Sequence, residues 1–326
     1  MPAIFRKCYI ILLLILSSAS YAQIGNAFVT APLPPVKTVN NKAGSCTKTR
    51  HCKPRLATRL PETLKETSGL VFFNGQLWTI NDSGNPPAIY QVDTTTGFVL
   101  RTVMVSNAVN TDWESITQHD SNIFIGDFGN NYGNRTDLRI LKISKAKLLN
   151  PEIHSLEAGY IRFAYADQSS FSQELNSNNF DCEAFVYCND SLHLLSKDWT
   201  DLQTRHYVLP ADTGNFIAKY VGQFNANGLI TDAAISKNGN IVLLGYKKMC
   251  WKFYSCFAWL LSDYQGGEFF SGNRSRIKLG SAFHLGQTEG VALKKNGQLW
   301  ISAESILSGI LYHPTKLFRL TLKGCF

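Results

Sequence analysis

A fivefold internal repeat constrains the fold of this 326-residue chain more than any other feature. Each repeat begins with a carboxylate or hydroxyl before a small residue and contains two short apolar runs joined by a polar turn. The five repeats are ETSGLVFFNGQLWTINDSG (66–84), TDWESITQHDSNIFIGDFG (111–129), DCEAFVYCNDSLHLLSKDW (181–199), TDAAISKNGNIVLLGYKK (231–248) and QTEGVALKKNGQLWISAES (287–305). Short apolar runs broken by Asn-Gly, Asn-Asp and Asp-Ser pairs are typical of β-hairpins.

Further strand-like runs flank each hairpin and complete four-stranded units. In chain order they are AIYQVD, VLRTVMV, DLRILKIS, YIRFAYAD, RHYVLPA, FIAKYVGQF, FAWLLSD, RIKLGSA and KLFRLTL. The fifth unit is one strand short, and PRLATRL near residues 54–60 can supply the missing strand. The sequence therefore predicts an all-β, five-bladed β-propeller that is closed by pairing of its N- and C-terminal strands. A six-bladed propeller is the alternative, if the insertion around residues 145–180 contains another blade.

The N-terminus has the pattern of a cleaved secretory signal. Arg6 and Lys7 precede a short apolar run, Tyr9–Leu16, and a small-x-small cleavage site ends at Ala22. The apolar run is too short to span a bilayer. We predict a signal peptide at 1–22, an irregular basic linker at 23–54 and a β-propeller domain at 55–326. The mature chain is expected to be secreted or periplasmic.

The net charge of +8 is concentrated in the N-terminal segment. Nine Lys and Arg residues and no Asp or Glu precede residue 61, so the rest of the chain carries a net charge of −1. A nucleic-acid-binding body would need basic residues spread over one face. We therefore expect no nucleic-acid partner. We also expect no transmembrane segment and a monomeric protein.

Export would permit disulfides among the cysteines that follow the signal. Cys46–Cys52 and Cys250–Cys256 flank loop-like sequence, so bridges there are compatible with the pattern. Cys182 and Cys188 lie in one predicted strand, where six residues span roughly 20 Å, far beyond disulfide reach.

One position carries an acid or hydroxyl before a small residue in all five repeats. The first strand of each propeller blade lines the central channel, so we expect these residues to converge there: Ser68, Glu114, Glu183, Asp232 and Glu289. Four carboxylates in a narrow channel need a cation or raised pKa values. All-oxygen ligands favour a hard ion, with Ca²⁺ first and Mg²⁺ second. Two alternatives stay open: a water-filled polar channel whose acids bond to backbone N–H groups, and directly catalytic carboxylates.

A second polar set follows the second strand of each repeat and should surround one mouth of the channel. Its members are Asn81, Asp82, Asp127, Asn131, Lys197, Tyr246, Lys247 and Glu304. Such a mixture is typical of a small polar ligand site, but it is also typical of solvated loops. Asp112 and Glu114 are not predicted to form a pair, because Glu114 matches acids in other repeats.

The segments ETSGLVFFNGQLWTINDSG, DWESI and TEGVAL resemble the blade openings of exported propeller families. The predicted architecture is similar to that of the calcium-activated nucleotidase (apyrase) family, which holds a central calcium with inner-strand acids and hydroxyls. That resemblance implies calcium at Ser68, Glu114, Glu183 and Glu289, with Asp232 where the family has a hydroxyl. The chain also resembles phytase-like, SdiA-regulated and gluconolactonase-like propellers. The nucleotidase's outer substrate-binding residues have no match here.

These observations predict a secreted binding or scaffold module with an acidic, calcium-binding channel. Its ligand would be a small polar molecule or a protein partner. The alternative is a calcium-dependent hydrolase that acts on a phosphoester, such as a nucleotide or phytate, or on a lactone at the channel mouth.

Overall fold

The computed structural model describes residues 50–171, 173–250, 253–308 and 311–322. The predicted signal peptide, most of the predicted linker and Cys46 lie outside the described residues. Within this part of the chain, no helix is long and apolar enough to cross a membrane.

The described residues form 24 strands and little helix. In chain order, β1 to β12 are Arg50–His51, Arg55–Arg59, Thr67–Phe73, Gln76–Asn81, Ala88–Val92, Val99–Val105, Trp113–Gln118, Asn122–Asp127, Arg139–Ser144, Ser155–Leu156, Gly159–Tyr165 and Cys182–Cys188. Strands β13 to β24 are Ser191–Ser196, Thr204–Pro210, Gly214–Phe224, Leu229–Ile235, Ile241–Cys250, Phe253–Ser262, Asn273–Ser281, Gln287–Leu293, Gln298–Glu304, Ile306–Ser308, Leu311–His313 and Lys316–Thr321. The helices are α1 (Lys145–Leu149), α2 (Ala282–Leu285) and a 3-10 turn at Glu62–Leu64.

Most of these strands form five antiparallel four-stranded units. From the inner to the outer strand, the units are β3-β4-β5-β6, β7-β8-β9-β11, β12-β13-β14-β15, β16-β17-β18-β19 and β20-β21-β24-β2. The innermost strands neighbour one another in the cyclic order β3, β7, β12, β16, β20. The last unit pairs β24 with the N-terminal strand β2. The predicted all-β propeller, closed by N- and C-terminal strands, is confirmed.

The insertion around residues 145–180 extends units that are already present. Strand β10 pairs in parallel with β6 at the edge of the first unit, and β11 is the outer strand of the second. Because β11 also pairs in parallel with β15, the second and third units share one eight-stranded sheet. The described residues of this insertion form no further four-stranded unit. At the end of the predicted irregular linker, Arg50–His51 forms β1 and pairs with β19.

Apolar clusters fill the spaces between neighbouring units. Trp78 and Trp113 lie in the cluster between the first and second units, whereas Leu77 and Trp300 lie between the first and fifth. Leu77 and Trp78 are adjacent in β4, and successive strand residues point to opposite faces of a sheet. Each sheet is therefore apolar on both faces, which explains the nearly continuous apolar runs in the sequence.

The cysteines follow the strand register. Cys182 and Cys188 are free thiols on one strand, as predicted. The expectation that Cys250 and Cys256 can form a disulfide is wrong, because Cys256 is also a free thiol. Cys250 pairs with Phe253, whereas Cys256 pairs with Tyr246 three rungs away, roughly 10 Å along the ladder and beyond disulfide reach.

Candidate metal centre

The start of each innermost strand and the end of the strand after it meet at one mouth of the channel. Thr67 pairs with Asn81 there, and Trp113 pairs with Asp127. The two polar sets of the sequence therefore belong to the same end of the ring, because antiparallel neighbours start and end together.

Each innermost strand carries one extra residue just inside this mouth. The ladder of hydrogen-bonded pairs skips one position in every unit: Gly69, Glu114, Glu183, Thr231 and Glu289. Such bulges re-aim a side chain and often lie beside functional sites. Three predicted ring residues, all glutamates, occupy this position. Ser68 and Asp232 lie one residue away from it, and a step of one residue turns a side chain to the other face of a strand.

Glycine at the bulge of the first unit has a steric cause. Gly69 has a φ of +59°, and a Cβ at this residue would lie 2.7 Å from the backbone nitrogen of Ile116. The first unit therefore has no side chain at its bulge. It contributes a carboxylate through Asp82 instead, which follows β4 at the same mouth.

Three carboxylates gather at the junction of the first and second units. One oxygen each from Asp82, Asp112 and Glu114 lies within 4.8 Å of the other two. Glu114 is only 5% exposed, so its carboxylate lies buried within this group. Gly129 makes room for the group, because a Cβ there would collide with the carboxylates of Asp112 and Glu114. We call these three residues the acid triad.

One buried cation faces the acids from the third unit. Lys197 follows β13, and its Nζ lies 2.8 Å from Oε1 of Glu183. The ammonium also lies 4.9 Å from the ring centroid of Trp199 and 5.6 Å from that of Tyr246. Burial lowers the pKa of Lys197, but the nearby Glu183, Tyr246, Glu289 and Asp181 together raise it more, so that the net shift is upward. Lys197 is therefore held as a cation.

Acids outnumber this cation, and their pKa values rise. Burial, followed by the charges of Asp82 and Asp181, raises the pKa of Asp112 to about 7. Burial likewise raises the pKa of Glu289 to about 7, against the opposing charge of Lys197. Burial and nearby carboxylates also raise the pKa values of Glu114 and Glu304. A cation that enters this mouth would therefore displace protons.

Asp232 and Ser68 make protein contacts near the axis. The Asp232 carboxylate accepts from Ser115 Oγ at 2.5 Å and from the Val291 N–H at 2.6 Å, and the backbone N–H of Leu70 also reaches it. It thus joins β16 to three other innermost strands. The hydroxyl of Ser68 donates to the backbone carbonyl of Glu114.

Among the predicted mouth residues, Asp127 is paired with two arginines. Its carboxylate lies 3.0 Å from Arg135 and 2.8 Å from Arg139. Asn81 donates to the Thr63 carbonyl at 2.8 Å. These bonds direct both side chains to protein partners.

The remaining mouth residues divide into two groups. Asp82, Lys197, Tyr246 and Glu304 interact electrostatically with the ring glutamates or with one another. Lys247 is bonded to Asn227, and the backbone carbonyl of Asn131 accepts from the Asn176 N–H at 2.8 Å. The structure thus brings together Glu114, Glu183, Glu289, Asp82, Lys197, Tyr246 and Glu304.

Two acids of this centre were not assigned by sequence. Asp112 belongs to the triad, and Asp181 accepts from the Asn130 N–H at 2.6 Å and from Trp199 Nε1 at 2.7 Å. Both precede a ring glutamate by two residues. Residues two apart in an extended chain point to the same side, so the Asp-x-Glu spacing was the available signal. The prediction that Asp112 and Glu114 do not pair is wrong, because their carboxylates share one group.

No protein-family model and no curated protein matches the chain. Its fold is similar to that of the pyrroloquinoline-quinone-bound aldose sugar dehydrogenase from Streptomyces coelicolor, at a TM-score of 0.43 and 12% identity over 82% of this chain and 96% of that one. A Leishmania major protein gives a TM-score of 0.46 and 10% identity over 83% and 92% of the two chains. A gluconolactonase from Xanthomonas campestris gives 0.38 and 11% over 83% and 95%. Identities of 10–12% and TM-scores of 0.38–0.46 carry no information about the function of this chain.

Proposed function

We propose that this protein is an exported β-propeller binding module whose channel mouth binds a hard divalent cation, with Ca²⁺ as the expected ion. The observation that carries the proposal is the buried Glu114 carboxylate, which shares a group with the carboxylates of Asp82 and Asp112. The N-terminal signal pattern supports export.

The triad has the chemistry and size that calcium requires. Calcium takes carboxylate, carbonyl and water oxygens at roughly 2.3–2.6 Å, so two ligands on opposite sides of the ion are about 5 Å apart. The three oxygens lie within 4.8 Å of one another and can therefore surround one ion. Asp82 and Asp112 are partly exposed, which leaves room for water ligands.

Calcium in the triad would join two units of the propeller. Asp82 follows β4 of the first unit, whereas Asp112 and Glu114 lie at the start of β7 in the second. One ion bound by all three would fix these segments and offset the repulsion among their carboxylates.

We expect calcium to raise the melting temperature of the metal-free mature protein at pH 8. Binding to the folded state alone gives about 2.7 kcal/mol at 100 times Kd, which corresponds to roughly 4–5 °C in a protein of this size. Thermal shift measurements should show this increase in the wild type and lose it in Asp112→Asn.

The matched control is Asp137→Asn, which removes an exposed carboxylate outside the triad. It should keep the calcium response. An unchanged melting temperature in the wild type, or an equal response in Asp112→Asn, would refute the proposal.

A calcium-dependent hydrolase is the second candidate, and the partial exposure of Asp82 and Asp112 favours it. An ion open to the mouth could polarise a substrate oxygen or a bound water. The buried ammonium of Lys197 is available near the same mouth to orient a phosphate or a lactone carbonyl. Calcium-dependent turnover of nucleotides, phytate or lactones that is lost in Asp112→Asn would support this candidate, whereas binding without turnover favours the module.

A further inference from the structure

Two buried histidines lie against the apolar cluster between the third and fourth units. His193 is on β13 and His206 is on β14, and they are only 3% and 1% exposed. Nδ1 of His193 lies 2.9 Å from Nε2 of His206, and Nε2 of His193 lies 3.2 Å from the backbone carbonyl oxygen of Cys188. We call these two residues the histidine pair.

The hydrogen bonds of the pair define where its protons lie. A carbonyl only accepts, so Nε2–H of His193 donates to Cys188, and Nδ1 of the neutral ring accepts from Nε2–H of His206. The remaining nitrogen, Nδ1 of His206, is buried and has no hydrogen-bond partner among the described residues. A further proton on either ring would face another N–H group or lack an acceptor, which is costly in a buried site.

A segment of the fourth unit covers the histidine pair. Residues 263–272 connect β18 to β19, and we call them the cover segment. The ring of Phe269 stacks on both imidazoles, with centroid distances of 4.5 Å to His193 and 4.6 Å to His206. Phe269 is fully buried, and a Cβ on Gly267 would lie 2.9 Å from Cε1 of His193. The cover segment therefore packs directly on the two imidazoles.

The surroundings offer no charge that would balance an imidazolium. Strands β16 and β17 present apolar side chains to this interface. The ionisable groups of the other neighbouring elements are Cys188 on β12, Arg205 on β14, Asp263, Tyr264 and Glu268 in the cover segment, and Arg274 on β19. Burial raises the pKa values of Cys188 and Tyr264, so both stay neutral. Within the described chain, none of the carboxylates shifts the pKa of either histidine.

The closed arrangement consequently disfavours protonation. Burial lowers the pKa of His193 to about 4, and burial together with the neighbouring ring lowers the pKa of His206. A histidine released into water has a pKa near 6.5, so the open form binds more protons than the closed form in acid. The stability of the closed form is complete above this value and is lost as the pH falls below it.

We propose that the histidine pair is an acid-sensitive latch, which holds the cover segment on the third unit at neutral pH and releases it in acid. Release exposes Phe269 and both imidazoles, whereas the strand ladders of the two units stay paired. The latch acts without calcium, so its test is carried out with a calcium chelator present and is separate from the test of the acid triad.

Hydrogen–deuterium exchange of the mature chain, corrected for the intrinsic pH dependence of exchange, tests the proposal. The backbone N–H groups of Phe269 and Ser271 are bonded within the cover segment and report its opening. Between pH 7.5 and pH 5, the opening equilibrium should rise roughly 30-fold for each ring that takes up a proton on release. Strand β4 in the first unit should change much less, and an equal change there would contradict a local release.

The double variant His193→Gln and His206→Gln removes both titrating rings and keeps side-chain N–H donors, so it should lose the response to acid. The matched control, His154→Gln and His284→Gln, changes two exposed histidines and should respond as the wild type does. Circular dichroism melting at pH 7.5 checks the folding of both variants.

Nuclear magnetic resonance of the wild-type imidazoles provides a second readout that needs no substitution. In the closed form, His193 and His206 should remain unprotonated at pH 6. Unchanged exchange in the wild type, an equal acid response in the His193→Gln and His206→Gln variant, or protonated rings beneath a closed cover segment would each overturn the proposal.

Discussion

Lys197→Met is expected to cost about 3–5 kcal/mol of unfolding free energy at pH 8, the usual loss when one partner of a buried ion pair is removed. Lys197 lies 2.8 Å from Glu183, and both side chains are almost fully buried. Without the ammonium, the Glu183 charge faces the carboxylates of Asp181 and Glu289 and loses the cation that offsets them. Denaturant unfolding measures the loss.

The loss should depend on pH in a defined direction. Removal of Lys197 raises the folded-state pKa of Glu183, so the added cost is small where Glu183 is protonated in both states. It grows as the pH rises through the folded pKa of Glu183, which burial already raises in the wild type, towards the still higher folded pKa of the variant. We therefore expect a larger loss at pH 8 than at pH 4.

Lys247→Met is the matched control, because Lys247 lies at the same channel mouth, in the fourth unit, and its ammonium is bonded to the exposed Asn227. Its effect should stay within about 0.5 kcal/mol at both pH values. Two results would contradict this role of the Lys197–Glu183 pair. One is an equal loss of unfolding free energy in the two variants, and the other is a Lys197→Met loss that does not change with pH.

Asp232→Ala is the second large effect, at about 3–5 kcal/mol. The substitution leaves the hydroxyl of Ser115 and the N–H groups of Val291 and Leu70 buried without their acceptor, and each such group costs roughly 1–3 kcal/mol. Because these donors come from three different innermost strands, the loss should weaken the whole ring. Equilibrium denaturation should show a lower midpoint.

Two variants calibrate this result. Ser115→Ala removes one donor and leaves Asp232 with others, so a loss of about 1 kcal/mol is expected. Asp212→Ala removes a surface carboxylate that is 89% exposed and should be nearly neutral. If Asp232→Ala costs no more than Asp212→Ala, Asp232 does not join the strands.

The sequence predicted the fold well because its signals are local. Short apolar runs joined by Asn-Gly, Asn-Asp or Asp-Ser turns define each hairpin, and the fifth unit lacked a strand that β2 supplies. The β17–β18 hairpin was harder to predict. Cys250 and Cys256 are six residues apart, and this spacing is compatible both with a disulfide-bridged loop and with two paired strands.

The candidate site could be predicted only in part, because a bulge is a property of pairing between strands. Glu114, Glu183 and Glu289 precede small residues and were found from that pattern. Ser68 and Asp232 show the same pattern but lie one residue away from the bulge. The contribution of Asp112 depends on Gly129 and on the neighbouring unit, and neither follows from the local sequence.

Calorimetric titration of calcium into the metal-free mature protein measures directly whether the acid triad binds the ion. With the Asp112 and Glu289 pKa values at about 7, binding should release protons near pH 6. Each displaced proton should weaken binding about tenfold at pH 6 relative to pH 8. We expect one site, a heat at pH 6 that depends on the buffer, and no binding in Asp112→Asn. Absence of binding in the wild type, or equal binding in Asp112→Asn, would contradict this expectation.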